Sequence, residues 1–111
     1  LWNEKQIMVS RIEQIRTFLK DNPNDSFLRH ALALEYVKLG EDALAESLFV
    51  ALLEEDPGYV GSYYHLAKLL ERKGGSSLAM KWYEKGIDAA RAKNDRHALN
   101  ELQAAYDELI D

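Results

Sequence analysis

Apolar residues recur at three- and four-residue intervals along the whole chain, and short clusters of Gly, Pro, Asn, Asp and Ser interrupt them. Over 2–20 the positions Met8, Ile12, Ile15 and Leu19 form one stripe, with Ile7 and Phe18 beside it and a polar back. Asp21-Asn22-Pro23 stops that helix, because proline disfavours helix in the residue before it and has no N–H to donate. Asn24, Asp25 and Ser26 are candidate N-caps for a second helix that runs to Leu39, where Gly40 takes the left-handed conformation at little cost. That helix is apolar on two faces: Leu28, Leu32, Tyr36 and Leu39 on one, Phe27, Ala31, Leu34 and Val37 on the other. A helix so patterned is covered on two sides, or covers a partner on one.

A third helix is predicted over 41–55, with Ala45, Leu48, Phe49, Leu52 and Leu53 as its stripe, and Asp56-Pro57-Gly58 turns the chain. The fourth carries Tyr63, Leu66, Ala67 and Leu70 and ends at Gly74-Gly75. Ser76 or Ser77 caps a fifth, in which Ala79, Trp82, Tyr83, Gly86 and Ile87 face inward and Ala89, Ala90 and Ala92 extend the pattern. The last starts near Asn94 or Asp95 and bears Ala98, Leu99, Leu102, Ala105, Tyr106 and Leu109. Six helices joined by short turns leave no room for a sheet, so the expected class is all-α, a stack of antiparallel helix hairpins. One run resists a structural explanation. Glu54, Glu55 and Asp56 sit at the C-terminal end of the third helix, where the macrodipole makes each acid unfavourable by about 0.3–1 kcal/mol. Such a run hints at a surface selected for something other than stability.

The pattern also repeats on a longer scale. Leu32, Ala33, Gly40, Ala45 and Phe49 are followed 34 residues on by Leu66, Ala67, Gly74, Ala79 and Tyr83. The next pair, Pro57 and Arg91, breaks the series, but Pro23 stands 34 residues before Pro57. A fixed period of this length marks stacked supersecondary units. Leu32-Ala33, then Tyr36, Lys38-Leu39-Gly40, Ala45, Phe49 and Pro57, resembles the tetratricopeptide repeat. The resemblance covers 25–93 well and the two ends loosely. It implies an α-solenoid of about six helices in a single domain over 1–111: a half-repeat helix over 1–22, repeats over 25–58 and 59–93, and a capping helix over 94–111. In the half-repeat, Ile12, Ile15, Phe18 and Leu19 take packing positions, and Arg11 stands where the family prefers alanine. Arg96, Asn100, Glu101, Gln103 and Asp107 supply the polar outer face that a terminal unit needs for solubility.

Composition narrows the function classes. With 47% hydrophobic and 30% charged residues in 111, the chain is ordinary for one globular domain. It has no cysteine, which excludes a disulfide framework, a thiolate nucleophile and a zinc finger, and which fits the cytoplasm, the expected location. Lys and Arg number 14 against 19 acids, a net charge of -5, so no nucleic-acid partner is expected. No apolar run approaches the roughly 18 residues that a bilayer span needs, and no membrane association is expected. The chain begins at Leu1 rather than Met and reads as a fragment.

Candidate chemistry is sparse. His30, His65 and His97 are not paired at i,i+3 or i,i+4 and no His-Glu-x-x-His occurs, so polar surface histidines are the expectation and no metal or other cofactor is predicted. Gly74-Gly75-Ser76-Ser77 precedes a helix, as in anion sites, but lacks a preceding strand and a phosphate-binding lysine, and the interhelical turn explains it. No catalytic constellation emerges, and the chain is not expected to be an enzyme.

What the resemblance implies instead is a groove lined by the first helix of each unit. Its positions here are Phe27, His30, Leu34, Val37 and Lys38, then Gly61, Tyr64, Lys68, Glu71 and Arg72. One family subclass clamps a terminal carboxylate with Lys, Asn and Arg at positions that hold His30, Leu34, His65, Asp95 and Leu99 in this chain. Those cations and amides are missing, so that ligand class is disfavoured. The expected function is a scaffold or adaptor that binds a partner peptide or helix in the groove. The rival is structural, a module that joins domains or self-associates, as a homodimer for instance, through Met8, Ile12 and Ile15 at one end or Leu102, Tyr106 and Leu109 at the other.

Overall fold

Six α-helices make up residues 1–110, which the computed structural model describes: α1 Glu4–Asp21, α2 Ser26–Lys38, α3 Asp42–Glu55, α4 Gly61–Arg72, α5 Ser76–Ala92 and α6 Arg96–Ile110. Asp111, the last residue of the expected capping segment, lies outside the described residues. The class is all-α, a helical repeat of the kind the sequence pattern predicts. Among the described residues no helix is long and apolar enough to cross a membrane. The chain forms two compact units, Leu1–Leu52 and the part from Leu53 onward, with the division inside α3.

Helix ends follow a common device. After α2, α4 and α5 the residues Gly40, Gly74 and Asn94 take positive φ of 79°, 83° and 55°. Each donates its N–H to the carbonyl three residues back, while the following residue reaches the carbonyl five back: Glu41 to Tyr36, Gly75 to Leu70 and Asp95 to Ala90, all at 2.9 Å. This is the Schellman arrangement, which satisfies carbonyls that a helix end otherwise leaves bare. Two of the three are glycines, as expected; Asn94 is the third, a residue type that tolerates the left-handed region.

Helix starts are more varied. Asn3 caps α1 in a reciprocal box with Gln6, and Asp25 caps α2 by accepting from the Leu28 N–H at 3.0 Å. Asp95 accepts from the Ala98 N–H in the same way before α6. The predicted serine cap of α5 is incorrect. Gly75 is the N-cap, with no side-chain bond, and its carbonyl accepts from Ala79 at 2.9 Å. Gly74 completes the preceding turn, so the new helix begins at once and Ser76 and Ser77 already lie inside it.

In the first unit α1 packs on α2, with Ile12, Leu32, Ala33 and Tyr36 buried and the α3 residues Ala45, Phe49 and Leu52 fully so. Tyr36 accepts from the Arg16 guanidinium, which also lies 5.6 Å over its ring. Glu35, next to it on α2, is also buried, 3.8 Å from Arg11 and 3.6 Å from Lys38. Arg11, at a position where small residues were expected, thus faces a buried carboxylate.

In the second unit α5 packs on both α4 and α6, and α4 touches α6. Tyr63, Leu66, Leu69, Leu70, Tyr83 and Leu102 form the core. Gly86 sits at a close α4–α5 approach: a Cβ there would stand 2.6 Å from the Tyr63 Cβ. The Tyr63 hydroxyl donates to the Pro57 carbonyl at 2.5 Å, which ties the α3–α4 turn to the core. Of the two faces considered for pairing between copies, Ile12 and Leu102 are buried inside their own units, and Met8, Ile15, Tyr106 and Leu109 are half-buried.

Candidate functional site

The nine predicted groove residues, with Gly61, divide between the two units. On α2 of the first unit Phe27 is 67% exposed, His30, Leu34 and Val37 are half-buried, and Lys38 is exposed. His30 stands edge-on to Phe49, with ring centroids 5.9 Å apart, so the imidazole is packed against an aromatic core residue. Lys38 leans back along its own helix to Glu35 at 3.6 Å. Phe27 is thus the large apolar side chain that the first unit presents to solvent on this helix.

The second unit presents a polar, connected surface on α4. Tyr64, Lys68 and Glu71 lie on one face because residues three and four apart neighbour each other on a helix. The Lys68 ammonium is 3.6 Å from a Glu71 oxygen and 5.6 Å from the Tyr64 ring centroid. The same carboxylate accepts a hydrogen bond from the hydroxyl of Tyr83, whose ring is fully buried on α5. Tyr64 in turn meets Tyr83 edge-on at 6.5 Å. A chain of contacts therefore runs from the core to the surface: Tyr83, Glu71, Lys68 and the Tyr64 ring. Gly61 and Arg72 flank it and are exposed.

The electrostatics follow from that geometry. Burial, then the hydrogen bond to Glu71 and the charge of that carboxylate, push the Tyr83 phenol well above its ordinary range, so it stays a donor. Desolvation lowers the His65 imidazole below the usual histidine value, opposed by the Glu101 carboxylate, so it is chiefly neutral near pH 7. Among the described residues no group of three or more His, Asp or Glu could hold a metal ion.

Two participants escaped the sequence reading. Tyr83 was placed in the core without a role for its hydroxyl, and Glu35 was not singled out at all. The signal for Tyr83 lies in the repeat itself. Thirty-four residues earlier the pair Val37 and Phe49 is apolar; here Glu71 and Tyr83 are both polar. The aromatic edge contact is kept in both units, as His30 on Phe49 and Tyr64 on Tyr83. Only the second unit adds a hydroxyl and a carboxylate that satisfy each other.

Solved structures share this fold. A tetratricopeptide repeat domain protein from Salinibacter ruber, studied in solution, is 44% identical, with a TM-score of 0.75 over 78% of this chain and 88% of its own. A crystal structure of a tetratricopeptide repeat domain protein from the same organism is 44% identical, with a TM-score of 0.74 over 77% and 94% of the two chains. A protein from Bordetella parapertussis is 26% identical, with a TM-score of 0.77 over 89% and 86%. No protein-family model matches the sequence, and no curated protein does.

Proposed function

The chain belongs to the tetratricopeptide repeat family, and from that premise we propose that it is an adaptor whose α4 surface holds a peptide or helix of a partner protein. The fold is one that generally mediates protein–protein interaction through helical surfaces. The observation that carries the reading is the pre-ordered chain from Tyr83 through Glu71 and Lys68 to Tyr64. Binding ordinarily costs about 0.5–1.5 kcal/mol for each rotamer-rich side chain it immobilises. Lys68 and Glu71 are already held, so less of that cost falls on the complex. Tyr64 offers apolar area with few torsions to freeze, and Lys68 and Arg72 orient a partner through charge. In the first unit Phe27, Leu34 and Val37 offer an apolar surface of their own on α2.

The test is a selection of 12-residue peptides from a random display library on the intact chain, followed by affinity measurement against variants. Tyr64→Ala is expected to weaken the selected peptides by about tenfold or more, the scale of an aromatic contact at an interface centre. Leu34→Glu reports separately on the α2 surface. Peptides that bind Tyr64→Ala and wild type equally, with helicity unchanged, refute the α4 assignment.

A further inference from the structure

A second feature of the second unit lies away from the α4 face. A cleft of ≈ 580 Å³ is floored by Leu53, Tyr63, Trp82 and Ala89, and its charged lining residues are Glu54 and Asp88 with Lys85 and Lys93. That volume is in the range of ligand-holding clefts. It shares no residue with the surface of Tyr64, Lys68, Glu71 and Arg72. We propose that this cleft takes an arginine side chain of a partner protein, with the guanidinium on Trp82 and its charge met by Glu54 and Asp88.

Three observations support one occupant. The Trp82 ring already attracts a cation: the Lys85 ammonium stands 4.5 Å from its centroid, and Lys85 itself is exposed. Indole faces attract cations through their quadrupole, and a planar guanidinium stacks on them better than a strongly hydrated ammonium does. An incoming arginine therefore displaces an exposed lysine rather than a core residue. Next, Glu54 and Asp88 line the cleft, and neither carboxylate has a hydrogen bond or ion pair among the described residues. A forked guanidinium satisfies two carboxylate oxygens at once. Finally, Glu54 belongs to the acidic run at the C-terminal end of α3, which helix stability disfavours. A cation-binding role gives a carboxylate at that position a use.

The experiment uses N-acetyl-L-arginine amide as the probe and the indole N–H resonance of Trp82 as the readout, in Trp2→Phe protein so that one indole remains. N-acetyl-L-citrulline amide, equal in shape and uncharged, is the comparator. The arginine probe is expected to shift the Trp82 resonance saturably and the citrulline probe to leave it in place. Lys85→Ala removes the resident cation and is expected to tighten the arginine probe about two- to fivefold. Lys81→Ala removes the same charge one turn earlier, where the described residues show no cation–π contact, and sets the contribution of net charge alone. The double variant Glu54→Gln with Asp88→Asn is expected to weaken the probe. Equal shifts from both probes, or no gain in Lys85→Ala beyond that in Lys81→Ala, overturn the proposal.

Discussion

Tyr83→Phe separates the core role of that ring from the role of its hydroxyl. The ring is fully buried, and phenylalanine fills nearly the same volume, so packing is preserved. What is lost is the hydrogen bond from the phenol to Glu71. A hydrogen bond to a charged group contributes about 1.5–3 kcal/mol. The Glu71 side chain is 25% exposed and keeps Lys68 at 3.6 Å, so water and the ammonium recover part of that. A loss of about 1–2 kcal/mol remains, which corresponds to a fall in Tm of roughly 5–15 °C for a unit of this size. The pH dependence supplies an independent check. The folded-state pKa of Tyr83 is raised above its unfolded value near 10, so above pH 10 the folded protein holds the proton that the unfolded chain releases. Its contribution is complete below pH 10 and declines as pH rises further. One unit above the unfolded pKa this decline reaches at most about 1.4 kcal/mol, less to the extent that solvent screens the hydroxyl. Thermal melts followed by circular dichroism at pH 8 and pH 11 measure both effects. The variant should melt lower than wild type at pH 8, and the gap should narrow at pH 11. A gap that stays constant or widens refutes the assignment of the proton to Tyr83, and an unchanged Tm at pH 8 refutes the bond to Glu71.

Two glycine substitutions should act with opposite signs. Gly86→Ala places a Cβ 2.6 Å from the Tyr63 Cβ and 3.1 Å from the Leu102 Cδ1, so α4 and α5 must part. Overpacking of about 1–3 kcal/mol outweighs the gain of up to about 1 kcal/mol in helix propensity, and Tm falls. Gly61→Ala meets nothing within 4 Å, and a rise of a few tenths of a kcal/mol is expected. Thermal melts that show the same sign for both would contradict the close approach at Gly86. At helix starts, Asp95→Ala should cost about 0.5–2 kcal/mol by chemical denaturation because the Ala98 N–H loses its acceptor. Ser76→Ala should be close to neutral, since that serine is already inside α5; a comparable loss there would restore the serine cap.

Much of this fold was legible because its signals are local. The Gly40 and Gly74 turns rest on backbone freedom that one residue confers, and the helix stripes rest on a 3.6-residue period. Where two signals competed for one residue, local reading failed. Gly75 serves both as the donor that closes the turn after α4 and as the N-cap of α5, which leaves Ser76 and Ser77 in the helix. The placement of Glu35 was opaque for a similar reason: only the packing of α1 on α2 brings Arg11 within 3.8 Å of a carboxylate that a helical pattern alone puts on a polar edge.

The amino-acid sequence by itself determined the helices, their turns and the family, since all three are carried by residue types at fixed short spacings and by their recurrence after 34 positions. The tertiary structure decided which side chains act together. Tyr83 and Glu71 are 12 residues apart on different helices, and Trp82 shares its cleft with Glu54 on a third. Hydrogen bonds, ion pairs and aromatic contacts act over a few ångströms in space, and separation along the chain does not report that distance.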